Sequence, residues 1–284
     1  MAAEAAYERP ESLAGALALL AGGGWTLLAG GTDLYPATNR RALSGRILDI
    51  TGMEDLSGLR LDREGLRIGA GTTWAALAAA TLPPALAALQ AAAREVGGRQ
   101  IQNAGTIGGN LCNASPAADG LPPLLALEAE VELASQDGIR RLALEDFIAG
   151  PRQTALAPGE ILVAVHIPRA ALMGRSTFLK LGARKYLVIS IAAIAVRLLE
   201  REGRVALARI AVGACSPVAR RLTAVEAALE GASLEDATGL VRDADVAAAL
   251  APIGDVRASA AYRAVAAAEL VRRAVTALAG GADG

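Results

Sequence analysis

The sequence predicts an α+β fold in two parts, and three observations support this prediction. A short helix, a strand and a glycine-rich turn follow one another near the N-terminus. Two short apolar runs flank Asp62-Arg63-Glu64-Gly65, as expected of a hairpin. From Ser176 onward, three strands precede three helices, which is typical of a small α+β domain stacked behind the first part.

The first part consists of short helices and strands separated by glycine or proline. Ser12 is the expected N-cap of the first helix, and Thr72 or Thr73 that of the second. Helices are expected over residues 11–20, 74–80 and 83–96, with a helix that passes into a strand over residues 124–133. Strands are expected over residues 25–29, 47–50, 59–61, 66–69 and 160–167. This order places the first glycine-rich turn at the carboxyl end of a strand, where α/β sheets bind ligands.

A change of pattern near residues 170–175 divides the chain into domains 1–172 and 173–284. In the second domain we expect a three-stranded sheet with helices, and residues 200–204 form a hairpin turn between its last two strands. The strands are expected over residues 177–181, 189–199 and 205–215. The helices are expected over residues 223–229, 234–241 and 258–278.

Two glycine-rich turns carry the strongest functional signal. They are Ala29-Gly30-Gly31-Thr32-Asp33-Leu34 and Gly105-Thr106-Ile107-Gly108-Gly109-Asn110. Paired glycines let the backbone approach an anion closely and permit positive φ angles that direct successive N–H groups to one point. Neither turn has the Lys-Ser/Thr ending of a P-loop or the spacing G-x-G-x-x-G. Each alone is compatible with a purely structural role, but the pair favours binding of the two phosphates of one dinucleotide.

A third glycine pair, Gly69-Ala70-Gly71, follows a predicted strand and precedes a helix, as in the dinucleotide-binding fingerprint. Trp74 stands where the third glycine of that fingerprint belongs, and no acidic residue is suitably placed beyond it. We therefore interpret this segment as strand-to-helix geometry.

Length and composition exclude several functional classes. The 284 residues, 53% of them apolar, are enough for one large core or two modest ones. The 28 basic and 29 acidic side chains nearly balance, which does not favour nucleic acid or an anionic membrane as partner. Residues 187–196, the longest apolar stretch, are about half the roughly 20 residues that a membrane span needs. The N-terminus lacks the features of a secretory signal, so we expect a cytoplasmic protein without a transmembrane segment.

Histidine and cysteine are scarce. His166 is the single histidine, and Cys112 and Cys215 are the two cysteines. Histidine-rich zinc sites, Ser-His-Asp triads and Cys-His dyads are therefore difficult to build, and two thiolates are too few for an iron–sulfur cluster. Any chemistry is expected to come from a bound cofactor.

Several single residues are candidates for a functional or a structural role. Asp119, in a loop framed by proline, is either a solvated carboxylate or an acceptor for a sugar or cofactor hydrogen. His166 alternates with apolar residues and is interpreted as a sheet-face residue, and Cys112 as a small buried one. Arg184-Lys185 either faces a phosphate or an anionic partner, or forms a solvated turn.

Four motifs in order resemble the FAD-binding subunit of molybdenum hydroxylases, the family of the carbon monoxide dehydrogenase medium chain and the central part of xanthine dehydrogenase. The motifs are Leu27-Leu-Ala-Gly-Gly-Thr-Asp-Leu34, Gly105-Thr-Ile-Gly-Gly-Asn-Leu111, Ala114-Ser-Pro-Ala-Ala-Asp119 and Gly159-Glu-Ile-Leu162. The resemblance covers nearly the whole chain. It implies a two-subdomain FAD-binding fold of the vanillyl-alcohol-oxidase (PCMH) type, followed by a small C-terminal α+β domain.

The resemblance also implies the residues that bind FAD. Residues 27–34 would surround the diphosphate with backbone N–H groups, residues 106–110 would hold its other side, and Asp119 would bind the ribityl region. The implied FAD-binding residues are Leu27, Leu28, Ala29, Gly30, Gly31, Thr32, Asp33, Leu34, Thr106, Ile107, Gly108, Gly109, Asn110, Asp119, Leu162 and Lys180. No residue of this chain is implied to be catalytic or to bind a metal.

In this family the organic substrate is oxidised elsewhere. The resemblance implies a partner subunit with the molybdopterin cofactor and a small partner subunit with [2Fe–2S] clusters, assembled as a dimer of heterotrimers. FAD in this chain would collect electrons from the iron–sulfur subunit and pass them to an external acceptor. Two alternatives remain open: a self-contained flavoprotein oxidase of the same fold, and a nucleotide-binding subunit without redox function.

Overall fold

The computed structural model describes residues 6–38, 43–185 and 187–280. Residues 1–5, on which the expectation about secretion partly depends, lie outside the described residues. The strands are β1 Ala6–Glu8, β2 Trp25–Leu28, β3 Arg46–Asp49, β4 Leu59–Leu61, β5 Gly65–Gly69, β6 Glu130–Ser135, β7 Gly138–Ala143, β8 Ile148–Gly150, β9 Gln153–Thr154, β10 Ile161–Pro168, β11 Arg175–Leu181, β12 Ala192–Arg201, β13 Arg204–Gly213 and β14 Arg220–Arg221.

The helices follow the same numbering by chain order. They are α1 Leu13–Ala21, α2 Trp74–Ala79, α3 Ala87–Glu95, α4 Arg99–Ala104, α5 Ile107–Asn113, α6 Leu121–Ala126, α7 Leu144–Phe147, α8 Thr223–Leu229, α9 Leu234–Ala237, α10 Asp243–Ala249 and α11 Ala260–Ala279. Short 3₁₀ helices cover Glu54–Leu56, Pro84–Leu86, Arg169–Leu172 and Thr238–Leu240. The α+β class predicted from the sequence is confirmed.

A three-stranded parallel sheet, ordered β1-β3-β2, begins the described chain. The connection from β1 to β2 contains α1, which Ser12 caps by accepting a hydrogen bond from the N–H of Gly15 at 3.2 Å, as predicted. β2 is only partly buried, because it is an edge strand of this sheet. Since the strands are parallel, all three carboxyl ends lie at one edge, and the first glycine-rich turn begins there.

The larger, five-stranded sheet is antiparallel and has the order β4-β5-β10-β6-β7. The predicted hairpin is β4 with β5. β10 lies at the centre, and residues 161–165 are all buried. Ile161 and Val163 pack with side chains of α1 and β3, while Leu162 and Val165 pack in the main core. Both faces of β10 are therefore covered.

Helices α2 to α6 lie between β5 and β6 in the chain. The helix predicted over residues 83–96 is a 3₁₀ turn followed by α3. The predicted second glycine-rich turn is the start of a helix, because Thr106 caps α5 and residues 107–113 are helical. Gly69-Ala70-Gly71 joins β5 to the cap of α2, which agrees with its interpretation as strand-to-helix geometry.

The C-terminal part contains a four-stranded antiparallel sheet, β11-β12-β13-β14, covered by α8 to α11. The sequence predicted three of these strands. β14 was missed because a two-residue strand carries no periodicity. A two-residue turn, Glu202-Gly203, joins β12 to β13, and both residues have positive φ, as in a type I′ hairpin. The hairpin predicted over residues 200–204 is therefore confirmed.

Buried polar contacts join the two parts. The guanidinium of Arg197 on β12 is 2% exposed and donates from Nε to Ala126 O at 2.9 Å and from Nη2 to Glu128 Oε2 at 2.7 Å. Ser176 on β11 donates to Ala85 O at 2.7 Å and accepts from the N–H of Ala88 at 2.9 Å. In the described ranges, no helix is long and apolar enough to cross a membrane.

Candidate functional site

The first glycine-rich segment, residues 29–34, is a loop that leaves β2 and is called here the first loop. Gly31 has a φ of +67°, and its carbonyl accepts from the N–H of Tyr35 at 3.0 Å. In the described part of the chain, the N–H groups of residues 29–34 donate to no protein acceptor. A row of backbone donors without protein partners is what binding of an anion requires.

The N–H groups of the second segment are occupied. Residues 107–110 are the first turn of α5, and each of their four N–H groups donates to an acceptor within the protein. The acceptors are, in order, Thr72 O at 3.0 Å, Ala70 O at 2.8 Å, Thr106 Oγ1 at 3.0 Å and Thr106 O at 3.0 Å. A ligand contact from this segment must therefore come from side chains or from the glycine surface, and not from these N–H groups.

The two segments touch one another. A side chain at Gly30 would place its Cβ 1.9 Å from the carbonyl oxygen of Ala104, immediately before the second segment. A side chain at Gly105 would place its Cβ 3.3 Å from Thr32 Oγ1. Because a side chain at Gly30 would not fit, the first loop lies directly against the end of α4 and Gly105, just before the cap of α5.

The rest of the first loop lies beside α5, to which a hydrogen bond between Asn113 and Asp33 joins it. Gly109, Cys112 and Asn113 are three or four residues apart on α5 and therefore share one face. Gly109 and Cys112 are exposed, and Asn113 donates from Nδ2 to Asp33 Oδ1 at 2.8 Å. The first loop and this face of α5 are the two walls of what we call the cleft.

Asn110 carries an unpaired polar atom beside the cleft. Its Oδ1 is buried and has no hydrogen-bond partner among the described residues. A side chain at Gly120 would place its Cβ 2.8 Å from this oxygen, so the chain next to Asp119 passes directly beside the amide. A buried acceptor without a donor is costly unless a ligand supplies the donor. This orphaned oxygen and the open donors of the first loop fit the hydroxyl and diphosphate groups of a dinucleotide.

Asp119 and Lys180 form a buried ion pair, so the solvated alternative for Asp119 was wrong. Lys180 Nζ donates to Asp119 Oδ2 at 2.7 Å and to Glu95 O at 3.1 Å, and Ser190 Oγ donates to Asp119 Oδ1 at 2.5 Å. Asp119 is 8% exposed. Burial raises the pKa of the Asp119 carboxyl, while the Lys180 ammonium and the Ser190 hydroxyl oppose that shift. Both oxygens of Asp119 already have donors within the chain.

Other predicted binding residues lie outside the cleft. Leu162 is 4% exposed in the main core, and the N–H of Ala70 donates to the carbonyl of its neighbour Val163 at 2.9 Å. Leu27 and Leu28 are strand residues whose backbones pair with β3. The structure thus brings residues 29–34 and 106–110 together and places Asp119 with Lys180 beside them.

His166 lies on the five-stranded sheet, as predicted, with Nε2 at 2.8 Å from Glu132 Oε2. Burial lowers the pKa of His166, and Glu132 opposes that shift. Arg184 donates from Nη2 to the carbonyl of Leu187 at 2.6 Å, so this side chain folds back on its own turn.

Cys112 is exposed in the cleft wall, so the prediction of a buried residue was wrong. The protein atoms that crowd it nevertheless raise the pKa of its thiol to about 12, so the thiol is protonated at neutral pH. Within the described residues, no group of three or more His, Cys, Asp and Glu side chains is arranged to hold a metal.

Sequence reasoning missed three residues that contact the site. Ser190 binds Asp119, and Asn113 and Arg152 lie beside Asp33. Asn113 immediately precedes the third motif, which begins at Ala114, and that position was the one signal available for it. Ser190 and Arg152 have no local pattern, because their contacts join distant parts of the chain.

Comparison with known families and proteins gives consistent matches over the chain. Residues 3–170 match the family described as the FAD binding domain in molybdopterin dehydrogenase, and residues 177–278 match the CO dehydrogenase flavoprotein C-terminal domain. The xanthine dehydrogenase FAD-binding subunit of Escherichia coli O157:H7 is 34% identical over 265 residues, which cover 91% of this chain and 90% of that protein. The carbon monoxide dehydrogenase medium chain of Afipia carboxidovorans is 35% identical over 281 residues, with 95% and 94% covered.

A solved structure has the same fold. It is a chain of the carbon monoxide dehydrogenase from Hydrogenophaga pseudoflava that lacks the Mo-pyranopterin moiety of the molybdenum cofactor, and it superimposes with a TM-score of 0.88 at 31% identity. The superposition covers 98% of both chains. The predicted fold, an FAD-binding domain followed by a small C-terminal domain, is thereby confirmed.

Proposed function

The chain belongs to the family of FAD-binding subunits of molybdenum hydroxylases, and we propose that it is the electron-transfer subunit of such an enzyme. It would receive electrons from a [2Fe–2S] subunit and pass them to an external acceptor. A molybdopterin-binding subunit would oxidise the substrate, and the assembly would be a cytoplasmic dimer of heterotrimers. The boundary between residues 172 and 173 remains our proposal for the end of the FAD-binding domain.

The cleft between the first loop and α5 is the observation that carries this proposal. One wall offers the N–H groups of residues 29–34, which have no protein acceptor in the described part of the chain. In the other wall, Gly109 is exposed and has no side chain. A diphosphate placed between them would receive backbone hydrogen bonds from one side and close contact from the other.

The remaining predicted residues have supporting roles in this proposal. Thr106 starts α5, and the buried Oδ1 of Asn110 is free to accept from a hydroxyl of the cofactor. Asp119 and Lys180 fix the segment beside Asn110, because their ion pair joins it to β11 and α3. Leu162 supports α5 from the core, because α5 packs on β10. Bound FAD would supply a redox centre that accepts and releases electrons.

The residues of this chain hold and orient the cofactor in this proposal. His166 is hydrogen-bonded to Glu132 on the five-stranded sheet, and the Cys112 thiol is protonated at neutral pH. Neither is arranged as the base that a self-contained oxidase needs to remove a proton from its substrate. The electron-transfer role therefore agrees better with the cleft than the oxidase alternative.

The proposal is tested by the absorbance spectrum of the purified chain, with the cofactor released by heat and identified by chromatography. We expect a flavin spectrum, release of FAD, no iron or molybdenum, reduction by dithionite and no oxidation of alcohols. A colourless chain that takes up no added FAD would contradict the proposal. Oxidation of an alcohol without partner subunits would instead identify a self-contained oxidase, and equal binding of ADP and FAD without redox activity a nucleotide-binding subunit.

A further inference from the structure

Arg152 lies beside the first loop and has a backbone conformation that is uncommon for a residue other than glycine. It occupies the two-residue connection between β8 and β9, and its φ is +58°. Its N–H donates at 2.8 Å to the carbonyl of Ala114, which has a φ of +43° and ends α5. Arg152 and Ala114 are thus two non-glycine residues with positive φ that are joined by a backbone hydrogen bond. Such backbone conformations persist where the surrounding structure enforces them. The hairpin and the end of α5 thus fix the position of Arg152.

Some N–H groups of the Arg152 guanidinium have no acceptor in the described part of the chain. Its Nη1 donates to Asn113 Oδ1 and lies 3.9 Å from Asp33 Oδ1. In the described part of the chain, its Nε and Nη2 donate to no protein acceptor, and 59% of the side chain is exposed. A guanidinium has five N–H donors in a planar fork that matches phosphate oxygens. Arg152 therefore presents an unfilled anion-binding edge at the cleft.

The charges at the first loop explain why a cation is needed. A diphosphate carries two negative charges, and the Asp33 carboxylate would add a third in the same loop. Backbone N–H groups supply partial positive charge only. Asn113 binds both Asp33 and Arg152, so it holds the carboxylate and the guanidinium on one side of the cleft.

We propose that Arg152 binds the diphosphate of FAD and balances the charge of Asp33 in the first loop. This inference rests on the proposed function, because it assigns a further binding residue to the same cleft. Asn113 is then the residue that positions the guanidinium, with its amide between Arg152 and Asp33. The ligand chemistry that Arg152 recognises is the diphosphate and not the flavin ring.

The test compares ligands with and without a diphosphate on the full-length chain after removal of flavin. Isothermal titration calorimetry would measure dissociation constants for FAD, ADP and riboflavin. We expect Arg152→Gln to weaken FAD and ADP binding by similar factors, about 10- to 100-fold, the usual range for a hydrogen bond to a charged group. Riboflavin binding should not change. Added salt should weaken ADP binding to the wild type more than to the variant.

Two variants serve as references. Arg152→Lys keeps the charge but loses the planar fork, so its affinities should fall between those of wild type and Arg152→Gln, and it carries the test if the Gln variant fails to fold. Arg60→Gln removes another mostly exposed arginine, which within the described residues forms an ion pair with Asp62, and it should change no affinity.

The inference is overturned if folded Arg152→Gln binds ADP within about twofold of the wild type. It is also overturned if FAD and riboflavin binding weaken equally, because that result indicates a role in folding of the cleft alone. A wild-type chain that binds neither FAD nor ADP contradicts the proposed function itself, whereas wild-type FAD binding with an unchanged Arg152→Gln contradicts only the role of Arg152.

Discussion

The two glycine-rich segments look alike in sequence but differ in the state of their backbone. The N–H groups of the first loop, residues 29–34, have no protein acceptor in the described part of the chain. Those of residues 107–110 are all bonded within the protein. A glycine pair therefore does not by itself indicate a set of free donors. The partners of the N–H groups, which only the fold determines, decide whether a segment is able to bind an anion through its backbone.

The glycines also serve different purposes. Gly30 permits contact between the first loop and Ala104, and Gly108 permits contact between α5 and Ala70, where a Cβ would lie 2.7 Å from the Ala70 Cβ. Gly109 is exposed, and a Cβ there would lie 2.9 Å from Thr106 Oγ1. Two of these glycines are thus required by packing, whereas we propose that Gly109 is required by the bound cofactor. Substitutions at these positions distinguish glycines needed for packing from those needed for binding of the cofactor.

The largest effect is expected for Gly30→Ala. The new methyl group would lie 1.9 Å from the carbonyl oxygen of Ala104, so the first loop must move away from the end of α4. We expect the free energy of unfolding to fall by about 3 kcal/mol, the upper part of the usual range for overpacking, together with loss of bound FAD. Urea unfolding of the flavin-free chain and the flavin content after purification would measure both quantities.

Gly239→Ala is the matched control for that experiment, because a Cβ at Gly239 would meet no atom within 4 Å in the described part of the chain outside its own backbone neighbours. It should change neither quantity. If Gly30→Ala retained FAD and its stability, the contact between the two segments would not be needed for the cleft, and the comparison between them would lose its basis.

Two substitutions in α5 are expected to affect the free energy of unfolding and the binding of FAD to different extents. Gly108→Ala should lower the free energy of unfolding by about 1–3 kcal/mol, because Ala70 leaves no room for the methyl group. Gly109→Val should lower it by only about 1 kcal/mol, because its Cβ displaces the cap oxygen of Thr106, but should release FAD, because its side chain enters the cleft. Chemical unfolding and flavin content distinguish the two. Full flavin content in folded Gly109→Val would place the diphosphate elsewhere.

Elements that depend on neighbouring residues were predictable from the sequence. Ser12 and Thr73 cap α1 and α2, because a hydroxyl before an apolar run reaches the N–H three residues ahead. The turn at Glu202-Gly203 was likewise readable, because glycine in a polar run between two apolar strands favours a hairpin. α10 was missed, because Val246 is its one fully buried residue and leaves no amphipathic pattern.

The geometry of the site depends on contacts between distant residues and could not be predicted in this way. Lys180 and Asp119 are 61 positions apart, and nothing near either residue indicates that they pair. The same is true of Arg152 and Asn113, 39 positions apart. The resemblance to a known family placed the segments, but it did not indicate which N–H groups are already bonded, because that depends on the chain packed beside each segment.

The smallest effect is expected for Thr106→Ala, which removes the N-cap of α5 and leaves the N–H of Gly109 without its side-chain acceptor. The free energy of unfolding should fall by about 1 kcal/mol, the usual cost of losing such a cap. Ser259→Ala removes the cap of α11, far along the chain in the other domain, and should cost a similar amount. FAD affinity should fall only for Thr106→Ala, because only that cap fixes a wall of the cleft, and Thr106→Ser should restore it. Equal FAD dissociation constants for the two Ala variants would show that the start of α5 does not contribute to binding, and the first loop would then hold the cofactor without it.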